Sequence, residues 1–185
     1  MKLLEWLLTR WLVNDIAGVE PRIVTLEAPI QLVGLSMRTD QRTLRKDMTS
    51  LGRRYLSLKQ QHEIPNRREP WAVVGVRTDF TPATGAFRYL VGDVVTSLEQ
   101  VPAVMVGFEI PAATYAVFPV RPKNRIGWGL AIAAAKRYAF DDWLPRSSYL
   151  AGGAVNDFEY HDERCTRKRD PEIDLYVAVT RREGS

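Results

Sequence analysis

One cysteine, two histidines and no long apolar run narrow what this 185-residue chain can be. Cys165 alone cannot close an internal disulfide, so the chain reads as a cytoplasmic protein of a reducing compartment. His62 and His161 are far apart and no cysteine pair accompanies them, so no zinc site of ordinary spacing, and no other cofactor, is expected. Cys165 is equally poor as a nucleophile. Its only local base is His161, and a four-residue spacing on a loop fixes no geometry. Charge of one sign is scarce too: 26 Lys and Arg against 22 Asp and Glu leave a net +4, and the basic residues fall in short groups. A dedicated nucleic-acid-binding domain leaves a stronger electrostatic footprint than that.

The most apolar stretch, residues 1–17, is M-K-L-L-E-W-L-L-T-R-W-L-V-N-D-I-A. Leu4, Leu7, Leu8, Trp11 and Leu12 share one side at helical spacing, while Lys2, Glu5 and Arg10 interrupt the run. It is too short and too charged to span a bilayer, and it lacks the small-residue cleavage site of a secretory signal. Residues 1–20 therefore read as an amino-terminal helical extension with no membrane role. Packing on the domain and pairing in a homodimer remain the two open uses of its stripe.

What the chain does have is enough apolar residue, 45%, to bury a core, and an order of elements that is written twice. Arg22–Leu26 and Ile30–Met37 read as strand broken at Ala28-Pro29, then Asp40–Asp47 as loop and Met48–Gln61 as helix. Trp71–Val76 and Phe87–Val95 read as a hairpin, and Leu98–Met105 as a connection. The order then restarts. Phe108–Val120 lies on Glu27–Arg38 when Pro111 is matched to Pro29, and a second helix over Ile126–Trp143 is stopped by Pro145. Asp157–Tyr160 and Ile173–Val179 close the second half. The pattern predicts an α+β fold: two pseudo-twofold-related strand-helix-strand-strand modules, each an antiparallel sheet with a helix on one face, with a ligand cleft between them. The domain is expected over 21–181, its halves about 21–105 and 106–181.

The stretch from Asp157 to Val179 carries the chemistry. Ile173, Leu175, Val177 and Val179 alternate onto one strand face; Glu172, Asp174, Tyr176 and Ala178 take the other. Phe158 and Tyr160 flank Glu159, which must point opposite to both. If the two strands pair, Glu159 and Tyr176 line one surface, an acid beside a phenol; the plainer alternative leaves Glu159 on the solvent face of an edge strand. The intervening loop, His161–Asp170, is charged and holds no large apolar side chain to pin it.

In order along Pro21–Val179, the motifs P-R-I-V-T-L, L-V-G-L-S-M-R-T, F-R-Y-L-V-G-D-V, I-P-A-A-T-Y-A-V-F, D-D-W-L-P-R-S-S-Y, N-D-F-E-Y and E-I-D-L-Y-V-A-V resemble the gyrase-inhibitor-like (GyrI-like) small-molecule-binding family. Its members include the effector-binding domains of AraC-type and MerR-type regulators. The resemblance implies a pocket glutamate among aromatics that meets cationic ligands. F-E-x-Y assigns that role to Glu159, with Glu172 and Glu109 as weaker candidates. Tyr89, Tyr115, Tyr176, Trp143 and Trp71 are the implied aromatic lining. About twenty residues precede the family region, too few for a helix-turn-helix, so no DNA-binding domain is expected in this chain.

Two functions follow, and the sequence does not separate them. One is a stand-alone binder of bulky aromatic or cationic compounds. The other, implied by some relatives of this fold, is a hydrolase opening activated cyclopropane rings of DNA-alkylating natural products, with Glu159 activating water and Tyr115 or Tyr89 donating to the developing oxyanion.

Overall fold

The computed structural model describes residues 16, 18–123 and 127–182. The stripe expected in residues 1–17, from Leu4 to Leu12, lies wholly outside the described residues. Those described divide into two compact units: Glu27–Ala112, and the residues up to Leu26 together with those from Ala113 on.

The first unit contains β2 (Ile30–Thr39), α1 (Leu44–Gln61), β3 (Val73–Thr81), β4 (Ala86–Val95) and β5 (Val106–Ile110). The second contains β1 (Arg22–Thr25), β6 (Thr114–Val120), α2 (Trp128–Arg137), β7 (Tyr149–Ala151), β8 (Asp157–His161) and β9 (Ile173–Arg181). Within the first unit the strands run β3-β4-β2-β5, and within the second β8-β9-β6-β1, all antiparallel, with β7 on the end of β9. The two orders are the same once β3, β4, β2 and β5 are matched to β8, β9, β6 and β1. This is the expected α+β architecture of two strand-helix-strand-strand modules. Each module also takes the strand that precedes the other's first strand. Pro29 and Pro111 sit at the two breaks that make the exchange, between β1 and β2 and between β5 and β6. A proline gives no N–H to a sheet ladder, so a strand ends there. Phe108–Val120 accordingly holds strand on either side of Pro111, as Glu27–Arg38 is broken at Pro29.

Period-2 alternation builds both cores. In the first unit Val33, Leu35, Phe87, Tyr89 and Val95 face α1 and pack on Leu51, Tyr55 and Ile64, with Met48 and Leu58 at the edge of the same cluster. These are the predicted stripe residues of α1. The helix starts at Leu44, four residues before the sequence expectation. The Asp40 carboxylate accepts from the backbone N–H groups of Arg42 (2.7 Å) and Thr43 (3.1 Å), and Asp47 turns back onto the Thr39 hydroxyl at 2.7 Å. Polar residues that read as loop thus organise the first turn. Buried Asp93 on β4 accepts from the Tyr55 hydroxyl and pairs with Lys59 Nζ at 2.7 Å. Gly34 and Gly92 lie directly opposite each other, and a methyl at Gly34 would stand 2.0 Å from the Val91 carbonyl oxygen.

In the second unit Ala116, Phe118 and Val120 of β6 join Ile173, Leu175, Val177 and Val179 of β9 under Ala131, Ala135, Tyr138 and Trp143. The predicted apolar face of β9 is therefore the core face. The second helix does not end at Pro145. It passes from α2 into a π-helical segment, Tyr138–Trp143, and a last helical turn, Leu144–Arg146. Pro145 has no N–H for the Asp141 carbonyl, and the Leu144 N–H reaches back five residues to Ala139.

Candidate functional site

Strand β8 reads Asp157-Phe158-Glu159-Tyr160-His161, so its odd residues share one face and its even residues the other. Register with β9 decides which is which. Asp157 stands opposite Val177 and Glu159 opposite Leu175, both core residues beneath α2; Phe158 stands opposite Tyr176. Asp157 and Glu159 therefore point to the helix side. There Lys136 of α2 lays its ammonium between them, 2.6 Å from the Glu159 carboxylate and in contact with that of Asp157. The side chains are 13% exposed for Lys136, 12% for Asp157 and 4% for Glu159. His161 continues the row, and its ring centroid lies 6.3 Å from that of Trp128, in the first turn of α2. Burial pushes the His161 imidazole below its ordinary pKa, against the opposing pull of the Glu159 and Asp162 charges, so it is neutral at pH 7. Two carboxylates, one ammonium, one neutral imidazole and one indole thus share a desolvated patch.

Phe158 and Tyr176 carry a second cluster on the opposite face. Their rings stack at 4.5 Å, and Tyr115 of β6 meets both edge-on, at 5.3 and 5.8 Å. Tyr160 lies 6.0 Å from Tyr176. Burial raises the Tyr115 and Tyr176 phenols above their ordinary pKa. Asp174, directly opposite Tyr160, is held at 2.8 Å by Arg164 and at 3.3 Å by Arg22. Arg164 also takes Glu172 at 2.7 Å and Asp162 at 2.8 Å. The loop after β8, read as unpinned, is therefore anchored by charge: it folds into a 3-10 turn, Glu163–Thr166, and ties itself to β9 through one guanidinium.

The predicted residues divide accordingly. Tyr115 and Tyr176 come together. Glu159 and Tyr176 do not line one surface, because the pairing matches Tyr176 to Phe158 and sends Glu159 through to the other side of the sheet. The same register parts Glu159 from Tyr115, one of the two phenols of the hydrolase reading. Glu159 is not on a solvent edge either. Glu172 is bridged by Arg164 and Arg121. Glu109, on β5, accepts from Gln31 at 2.8 Å in an exposed position. Trp143 packs edge-on against Phe118, stacks on Tyr149 and donates its indole N–H to Glu20 at 3.2 Å. In the first unit, Tyr89 is core beneath α1, and Trp71 is half-buried just before β3.

The sequence reading missed Asp157, Lys136 and Trp128 as site residues. A signal for Asp157 was available: Asp157, Glu159 and His161 at i, i+2, i+4 on a strand must share a face. Lys136 and Trp128 had none, since their approach to β8 depends on the tertiary crossing of α2. Among the described residues no cluster suits a metal ion, and no helix is long and apolar enough to cross a membrane.

Known proteins resemble this chain in sequence and in fold. Transcriptional regulator BrlR of Pseudomonas aeruginosa is 30% identical over 124 residues, 66% of this chain and 43% of that protein, so the chain spans less than half of this relative. SAV2435 bound to tetraphenylphosphonium superposes with a TM-score of 0.67 at 13% identity, over 88% of this chain and 94% of that one. An integron cassette protein from the mobile metagenome of Vibrio cholerae gives 0.57 at 17%, over 87% and 96%. The EcmrR C-terminal domain gives 0.53 at 12%, over 87% and 98%. At these identities the structures speak for the fold, which is that of the GyrI-like proteins. The pattern of the Cass2 family, integron-associated effector binding proteins, matches residues 22–179, and the chain belongs to that family.

Proposed function

We propose that this chain binds aromatic, cationic small molecules, and that Glu159 with Asp157 on the helix side of the second unit is the acid that meets their charge. The observation that carries the reading is the buried pair of carboxylates already holding an ammonium between them. A carboxylate stripped of water stabilises a cation far better than one at the surface, and here two are aligned by strand pairing rather than by flexible side chains. Trp128, against the His161 ring on the same face, adds an aromatic surface worth about 0.5–2 kcal/mol to a desolvated cation. Membership of an effector-binding family supports the small-molecule part of the reading, and the tetraphenylphosphonium held by SAV2435 supports the cationic part.

Access involves Lys136, whose ammonium must leave the two acids before a ligand's charge can meet them. The hydrolase reading gains no support from Tyr115, which lies across the sheet from Glu159.

Calorimetric titration with tetraphenylphosphonium and with neutral triphenylphosphine oxide tests the proposal. Glu159→Gln should weaken the cation about 10- to 100-fold, the loss of one charge-assisted contact, and barely affect the oxide. Equal losses for both, or none for either, would place the site elsewhere.

A further inference from the structure

We infer that Lys136 is a specificity-determining residue: a tethered cation that competes with the ligand for Asp157 and Glu159, so that only cations bringing aromatic area with their charge displace it. This rests on the reading of Glu159 and Asp157 as the ligand's acids.

The geometry puts Lys136 where the charge of a ligand would have to go. Its ammonium contacts both carboxylates from a side chain only 13% exposed, and those carboxylates lie on alternate residues of one strand, facing the same way. A cationic guest that meets the same two acids must take the place the ammonium holds. The competition is intramolecular. A tethered partner acts at an effective concentration in the millimolar range or above, which a free monocation of equal charge does not match. A small alkylammonium offers the acids no more than Lys136 does. An aromatic cation adds contact with Trp128 and the neutral ring of His161, 6.3 Å apart, and gains there what it lacks in tethering. The lysine is mobile enough to leave. It has a flexible four-carbon stem, and it sits in the last turn of α2, just before the switch from α to π geometry at Tyr138.

Two measurements test this. In the first, tetraphenylphosphonium and tetramethylammonium are titrated into the wild type and Lys136→Met, a variant of similar length without the charge. The variant should bind tetraphenylphosphonium at least tenfold more tightly, and tetramethylammonium, too weak to detect on the wild type, should become measurable. Unchanged or weaker binding of both cations by a folded Lys136→Met would overturn the inference. In the second, the wild type is treated with an amine-acylating reagent and the modified lysines are mapped by mass spectrometry. Saturating tetraphenylphosphonium should raise modification of Lys136 several-fold, as its ammonium is released to solvent, while Lys46 and Lys168 stay constant. No rise, or protection, would overturn the inference even if Lys136→Met does not fold. Failure of the underlying reading looks different: Glu159→Gln would then bind tetraphenylphosphonium as the wild type does.

Discussion

Glu159 and Tyr176 stand on opposite faces of one sheet, because β8 and β9 pair Glu159 with Leu175 and Phe158 with Tyr176. One step of register separates an acid-among-aromatics surface from what the chain has: carboxylates on the helix side and stacked rings on the other. The acid's neighbours are therefore Asp157, Lys136 and His161, with Trp128 against the His161 ring. The account of binding turns on that step.

The neighbourhood can be checked without any ligand. The charge of Glu159 supports the protonated form of His161, although burial outweighs it. In Glu159→Gln, proton NMR titration should show the His161 pKa falling further below its wild-type value. A rise, or no change, would mean the two groups do not sense each other. The sign for stability follows from the same shift. The unfolded histidine takes up its proton near pH 6.5 and the folded one only at lower pH, so this contribution is complete above about pH 6.5 and declines as pH falls toward the folded pKa. Urea titrations between pH 5 and 7.5 should show the decline, and His161→Gln should reduce it.

Arg164 binds the loop after β8 to its strand through Asp162, Glu172 and Asp174. Arg164→Ala leaves Asp174, 5% exposed, with Arg22 as its remaining salt-bridge partner among the described residues, on a mostly exposed side chain, and should cost about 2–4 kcal/mol in urea unfolding. Lys cannot fork onto three carboxylates, so Arg164→Lys should recover only part of the loss. Burial raises the Asp162 carboxyl, but its hydrogen bonds from Arg164 prevail and hold its pKa below the ordinary value. Its contribution is thus present above about pH 4 and lost as pH falls through the folded pKa, and Arg164→Ala should flatten that acid limb.

Gly34 tests the first unit. A methyl there meets the Val91 carbonyl oxygen at 2.0 Å and the Gly92 Cα at 2.4 Å, both backbone, so β2 and β4 must part to admit it. Gly34→Ala should destabilise the protein by about 3 kcal/mol or more, read as a lowered urea midpoint. Gly52, with open space around its Cα, should accept alanine without loss.

Much of the fold was legible because it is written in local periodicity. The stripe Met48, Leu51, Tyr55, Leu58 of α1 and the alternation Ile173, Leu175, Val177, Val179 of β9 each name their buried face directly. The match of Pro29 to Pro111 marked the repeat, although it could not show that β1 and β5 are exchanged, since strand partners are not local information. The site was half legible. That Glu159 opposes Phe158 and Tyr160 follows from alternation alone. Which side of the sheet it reaches depends on the β8–β9 register, and which cation meets it depends on where α2 crosses. Aromatic content misled in another way: Tyr89 and Trp143 are needed by the cores beneath α1 and around α2, so a count of rings did not tell lining from packing.

The most direct test of the binding account is the position of the ligand's charge. Crystals grown with tetraphenylarsonium and measured at the arsenic absorption edge locate that atom independently of the surrounding density. The account predicts an anomalous peak on the α2 side of the sheet, within roughly 6 Å of the Glu159 carboxylate, the range over which opposite charges act strongly on each other, with the Lys136 side chain turned away. A peak against Tyr115, Phe158 and Tyr176, with none beside Glu159, would contradict it.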